Sequence, residues 1–231
     1  MDFGLMIESV PRILGGAVLT LELVVISLAI GFCTALGMAL MRLSSSRLLS
    51  GLAYGYVFVI RGTPLLVQIY LIYFGISQFE VVRSSFLWPW LREPFWCAVL
   101  ALTVNTTAYG SEIIRGGIQS VPWGQIEAAR AAGMSRLLLF RRIVFPIAIR
   151  QALPAYSNEA ILMVKATSLA STITLLEMTG ISVRIISQTF APVEIFLVAG
   201  SLYLAINFLA AQAVRALEWV LTPYRRPAPN A

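Results

Sequence analysis

From Ile195 to Val214 the chain runs 20 residues without one charged side chain. At about 1.5 Å rise per residue such a run makes a helix as long as the hydrocarbon core of a bilayer is thick. A second apolar block, Ile13 to Met41, is interrupted only by Glu22. Composition bears on whether these could be core helices of a soluble domain. Apolar residues make up 58% of the chain and charged residues 12%, against about 25% charged in an ordinary soluble domain. There is too little polar surface to cover a soluble globule. The expected class is an all-α, polytopic membrane protein, and 231 residues leave room for five or six spans with their loops.

Absences narrow the chemistry. The chain has no His, its only Asp is Asp2 and its only Lys is Lys165. A zinc protease needs His ligands, and an intramembrane aspartyl protease needs paired Asp. No G-x-S-x-G turn occurs. A phosphate-binding Walker loop needs Gly before its Lys, and Lys165 follows Val164. Cys33 and Cys97 both lie in apolar surroundings and form no metal pattern. The expectation is a non-enzyme without cofactor or metal. If transport is energised by ATP, a partner must bind the nucleotide. The net charge of +6 suits a positive-inside membrane protein better than a nucleic-acid binder.

The pattern predicts five spans. The first covers Ile13 to Met41. Leu48 to Phe79 is too long for one span and is broken at Arg61-Gly62-Thr63-Pro64. Thr63 as N-cap and Pro64 at the first helical position start the second span, Pro64 to Phe79. Residues 48–60 then lie along the cytoplasmic interface or lead in obliquely. Glu80 to Glu93, with Trp88-Pro89-Trp90, reads as an outer loop. Phe95 to Arg115 forms the third span, 116–150 a cytoplasmic segment, Ala152 to Glu177 a polar fourth span, 178–193 an outer loop, and Ile195 to Val214 the fifth. A basic tail, 217–231, closes a single domain whose core is about 13–216. Arg42, Arg47, Arg61, Arg130, Arg136, Arg141, Arg142, Arg150, Arg215, Arg225 and Arg226 fall on one side, and Arg12, Arg83, Arg92 and Arg184 on the other. By the positive-inside bias the N-terminus is out and the C-terminus in. No internal repeat is visible, which disfavours a gradient-driven secondary transporter.

The most specific local pattern is Glu127-Ala128-Ala129, three residues, Gly133, nine residues, then Ile143-Val144-Phe145-Pro146. Gln125 to Ala132 reads as a short helix, Gly133 as its left-handed C-terminal residue, and Ser135 as the cap of a second helix. Small residues on the first helix would let another protein's backbone approach closely; an ordinary helical hairpin lying at the interface is the competing reading.

This spacing resembles the E-A-A, three residues, Gly, nine residues, I-x-L-P loop of permease subunits of bacterial ABC importers, with Phe145 in place of Leu. Arg61-Gly62-Thr63-Pro64-Leu65-Leu66-Val67-Gln68 is similar to the block that opens the transport domain of polar amino acid permeases. Asn105-Thr106-Thr107-Ala108-Tyr109, Glu112-Ile113 and Arg115-Gly116 resemble the same subfamily's block before the E-A-A loop, and Leu153-Pro154-Ala155-Tyr156-Ser157-Asn158-Glu159 the block after it. Lys165-Ala166-Thr167-Ser168-Leu169 completes the series. The resemblance spans about residues 10–220. It leans toward permeases for histidine, lysine, arginine, ornithine and opines. Glutamine- and glutamate-type permeases are the alternative.

The resemblance implies a MetI-like fold in the bacterial inner membrane and an amino acid substrate. It also implies a periplasmic solute-binding protein, an ATP-binding cassette ATPase dimer and a second permease subunit, a different chain more than a copy. Glu127, Ala128, Ala129, Gly133, Ile143 and Pro146 would couple to the ATPase. Asn105, Tyr109 and Glu112 fall at i, i+4 and i+7 on one helix face, with Arg115 in reach of Glu112. Asn158, Glu159, Lys165 and Ser168 make the fourth span polar. These seven are the candidate translocation-path residues, with a structural polar network as the competing reading for the fourth span. For Glu112 and Arg115 the competing reading is an interfacial salt bridge.

Overall fold

The computed structural model describes residues 1–221; the tail beyond, with Arg225 and Arg226, lies outside the described residues. Among the described residues the chain is helical without strands. The first helices are α1 (Phe3–Gly15), α2 (Ala17–Arg42) and α3 (Arg47–Gly62). Next comes α4 (Leu65–Tyr70), which continues through a π turn (Leu71–Gly75) and a 3₁₀ turn (Ile76–Gln78). Two short helices follow, α5 (Glu80–Arg83) and α6 (Trp88–Leu91). The long α7 (Pro94–Gln119) precedes α8 (Trp123–Ala131) and α9 (Arg136–Leu139). A π turn (Phe140–Val144) leads into α10 (Phe145–Ala166), which tightens to 3₁₀ over Thr167–Ile173. The chain ends in α11 (Met178–Thr189) and α12 (Pro192–Leu221).

Helix α7 is the central post. It packs along most of α2 and against α10, α3 and α4. Leu23, Ile69, Cys97, Leu102, Met163 and Ile173 fill the core between them. Glycines permit the closest approaches. A Cβ on Gly117 of α7 would sit 2.6 Å from the Ala148 carbonyl oxygen of α10, and one on Gly31 of α2 would overlap the Thr106 methyl of α7. A second cluster, Ile13, Met178, Ile185 and Ile195, joins α1, α11 and α12.

Two stretches, Phe3–Arg42 and Pro192–Ala216, are long and apolar enough to cross a bilayer alone. Two further candidates are bent pairs: Arg47–Gly62 with Leu65–Gln78 at 106°, and Arg136–Ile173 with Met178–Thr189 at 48°. At 26 residues α7 is also long enough, though it carries Glu112 and Arg115.

Several boundaries differ from expectation for identifiable reasons. Helix starts at Phe3, not Ile13, because the Asp2 carboxylate caps Leu5 N at 3.0 Å. Residues 47–62 form a helix of their own. Pro64, not Thr63, is the cap of α4. The Thr63 hydroxyl instead bonds back to Val59 O at 3.0 Å, serving the helix it ends. The segment 116–150 is a loop only in its middle, since α7 runs to Gln119 and α10 begins at Phe145. Its short helix spans Trp123–Ala131 rather than Gln125–Ala132.

The fourth span ends before Glu177, and 178–193 is not a loop. Thr174 turns left-handed (φ 72°), and the Glu177 carboxylate caps α11 by accepting from Thr179 N at 3.0 Å and Gly180 N at 2.9 Å. Tyr203 of α12 donates to the same carboxylate at 2.6 Å. A charged side chain read as the end of a span is therefore the start of the next helix.

Candidate functional site

The bend between α3 and α4 is built by one side chain. The Gln68 amide nitrogen reaches Ile60 O at 2.7 Å, Thr63 O at 3.1 Å and Thr63 Oγ1 at 2.9 Å. These include carbonyls at the end of α3 that have no helical partner. The Gln68 carbonyl oxygen accepts from Asn105 Nδ2 of α7 at 3.0 Å. The bend is thus tied to the central post, and Arg61 is held with its guanidinium 4.9 Å from the centre of the Tyr109 ring.

Around this bend lies a cleft of about 460 Å³, lined by Arg61, Thr63, Asn105, Tyr109, Glu159 and Leu162 among others. Glu159 is 9% exposed. The cleft brings one cation and one carboxylate to opposite elements, α3 and α10, with an amide and a phenol between them. That is the complement of a ligand carrying both charges.

An adjoining cleft of about 380 Å³ shares Arg61 and Tyr109 and adds Arg42, Tyr54, Phe58 and Glu112. Here the carboxylate is already neutralised. Glu112 accepts from Arg42 Nε at 3.3 Å and from Arg115 Nη2 at 2.7 Å, and Arg42 also stacks on Tyr54 at 5.0 Å. Glu112 therefore clamps α2 to α7, and Arg61 with Tyr109 forms the partition between the clefts.

The seven path candidates divide accordingly. Asn105, Tyr109 and Glu159 meet in the first cleft. Glu112 lies in the second as the centre of a salt-bridge network, which is the structural reading its neighbour Arg115 suggested. Asn158 and Lys165 line neither cleft: seven positions apart, they share an exposed face of α10 roughly 120° from Glu159. Ser168 donates to Lys165 O at 2.6 Å within its own turn. Arg61, which lines the cleft, and Gln68, which holds the bend, belong to the Arg61–Gln68 block without standing out in it as site residues. Their signal was a cation and an amide seven positions apart across a helix break.

In the segment 116–150, Gly133 has φ 75°. Gly133 N donates to Arg130 O at 2.9 Å and Met134 N to Ala129 O at 3.1 Å, the paired bonds of a Schellman ending. Ser135 Oγ accepts from Leu138 N at 3.4 Å. Ala129 is buried with Leu139, Val144 and Ala148, while Glu127, Ala128, Ala131 and Ala132 are exposed. Ile143 lies in the π turn and Pro146 in the first turn of α10. Ala129 thus seats the helix on its own chain, leaving Glu127 and Ala128 outward. Trp123, unnoticed in the sequence, donates to Glu127 Oε1 at 2.8 Å and lies under Arg130 at 5.5 Å.

A bundle of long apolar helices around a charged cleft, with an exposed helical hairpin between two of them, defines a membrane permease. Residues 11–219 match the family described as the binding-protein-dependent transport system inner membrane component, and the chain belongs to that family. It is 60% identical over 227 residues to the nopaline transport system permease protein NocM of Agrobacterium fabrum (strain C58), covering 98% of this chain and 94% of that one. To the histidine/lysine/arginine/ornithine transport system permease protein HisM of Escherichia coli (strain K12) it is 42% identical over 204 residues, 88% and 86% of the two chains. A crystal structure of an amino acid ABC transporter with histidines superposes with TM-score 0.84 at 36% identity, over 94% of this chain and 98% of that one. The methionine ABC transporter MetNI in an inward-facing form shares the fold, with TM-score 0.77 at 17% identity over 96% and 100% of the two chains. The chain is therefore a multi-pass inner-membrane permease with the MetI-like fold, and not itself an enzyme.

Proposed function

We propose that this permease carries cationic amino acids or opines through the cleft between α3, α7 and α10. The observation that carries the reading is the convergence of Arg61, Asn105, Tyr109 and Glu159 on one cleft of about 460 Å³. A substrate carboxylate meets Arg61, and an ammonium or guanidinium meets Glu159. The substrates for which the relatives are named, nopaline and histidine, lysine, arginine and ornithine, favour the same chemistry.

The remaining assignments follow from this reading. ATP is bound by a separate ATPase dimer, because this chain has no phosphate-binding loop. The exposed residues Glu127, Ala128, Ala131 and Ala132 dock on that ATPase, with Gly133, Ile143 and Pro146 fixing the hairpin. A solute-binding protein delivers substrate from the N-terminal side, with the N-terminus out and the C-terminus in. A second permease subunit, a related chain rather than a copy, covers the exposed face of α10. Asn158 and Lys165 on that face favour a protein or aqueous neighbour, since a charge facing lipid is costly.

Purification from native membranes in mild detergent, followed by mass spectrometry, tests the assembly. The expected result is an ATPase and a second permease chain. Recovery of the chain alone would favour a gradient-driven transporter. Glu159→Gln tests the cleft: uptake is lost while the complex still assembles. Loss of assembly would make Glu159 a structural residue instead.

A further inference from the structure

A groove separate from the two charged clefts opens between α2 and α10, floored by α7. It is lined by Phe32, Leu36, Ile118, Phe145, Ile149 and Tyr156 among others, every one apolar or aromatic, and leaves about 60 Å³ unfilled. Along α10 it runs from Phe145 to Tyr156, 11 residues or about 16 Å of helix rise. That is the depth of one leaflet of a bilayer whose core is about 30 Å thick.

The end of the groove is basic. Arg141 and Arg142 stand four and three positions before Phe145, one turn earlier on the same side of the helix, within the π turn that starts α10. Both are exposed. Among the described residues neither has an ion-pair or hydrogen-bond partner. Two arginines on the same side of the bundle, Arg42 and Arg115, are by contrast engaged by Glu112. Two exposed arginines one turn before the Phe145 end of a leaflet-deep apolar groove match an anionic headgroup above an acyl chain.

We infer that this groove is a binding site for an anionic phospholipid, with one acyl chain between α2 and α10 and the headgroup phosphate on Arg141 and Arg142. The occupant is a lipid because the lining is apolar over a leaflet's depth, and anionic because the unpaired charge at its mouth is positive. A bound chain there would wedge α2 against α10, two elements that otherwise meet mainly through α7.

The full chain, purified in mild detergent, is mixed with defined lipids and read by native mass spectrometry. Dioleoyl-phosphatidylglycerol is expected to be retained in preference to dioleoyl-phosphatidylcholine. Arg141→Gln and Arg142→Gln should each cut that preference about fivefold, and the pair about thirtyfold. Ile149→Trp, which fills the groove, should lower retention of both lipids while leaving the helical circular dichroism unchanged. Equal retention of the two lipids, or a preference that survives in the double variant, would overturn the headgroup assignment. Retention unchanged in Ile149→Trp would overturn the groove as the site. So would efficient disulfide cross-linking from an Ile149→Cys variant to a second permease chain, which would make the groove a protein interface.

Discussion

Asn105 donates its side-chain amide to the Gln68 carbonyl oxygen at 3.0 Å, and through that bond α7 holds the bend that positions Arg61. The other end of Gln68 serves Ile60 O and Thr63 O. Gln68→Leu removes all of these bonds at a residue 6% exposed. Each unpaired buried carbonyl costs about 1–3 kcal/mol. The variant is expected to melt several degrees lower in detergent and to lose most uptake in membrane vesicles. An unchanged melting temperature would mean that Pro64 alone sets the bend.

The Glu177 carboxylate is fully buried and accepts from two backbone amides and from the Tyr203 hydroxyl at 2.6 Å. Tyr203→Phe deletes the bond to this carboxylate, worth about 1.5–3 kcal/mol, together with the hydroxyl contact to Thr179 Oγ1 at 3.1 Å. Glu177→Ala deletes the helix cap as well, and leaves Tyr203 with only the Thr179 hydroxyl as partner. Thermal unfolding of the two variants should rank Glu177→Ala as the more destabilised. Equal losses would show that the cap contributes nothing beyond the tyrosine bond.

The legible parts of this protein were those written as runs or local spacings. The charge-free stretch Ile195–Val214 lies inside α12, and Gly133 adopts the left-handed turn its position asked for. Asn105 and Tyr109, one turn apart, do share a cleft. What stayed hidden depends on partners distant in the chain. Glu177 reads as a span residue until Tyr203 is placed beside it. Thr63 reads as a cap for the helix ahead, yet its hydroxyl turns back to Val59. Lys165 is a path candidate by its charge, while its rotation around α10, away from both clefts, depends on which face the core occupies. Arg61 carries a cleft only because the chain turns 106° just after it.

Gly133 isolates a charge effect from a backbone one. At φ 75°, Asn is tolerated better than most residues. Asp differs from Asn by a charge, placed at a helix C-terminus where negative charge is unfavourable. Gly133→Asn should keep substantial uptake. Gly133→Asp should insert normally, keep the complex's ATPase activity and lose transport. Coupled transport by the Asp variant would count heavily against α8 as the docking element.

The approach of α2 to α7 offers a closing test of how tightly the bundle is specified. A Cβ at Gly31 would overlap the Thr106 methyl, and Thr106 is fully buried. Gly31→Ala is therefore expected to destabilise by about 1–3 kcal/mol through overpacking. Thr106→Ser removes that methyl and nothing else, so on its own it costs little. Residues in contact couple in double-mutant cycles. The pair Gly31→Ala with Thr106→Ser should recover most of the loss, giving a coupling energy near the cost of the single alanine. Additive losses would mean that α2 moves away from α7 as a whole. The salt bridge from Arg42 to Glu112, 3.3 Å long at the end of the same helix, would then break, and the second cleft would open with it.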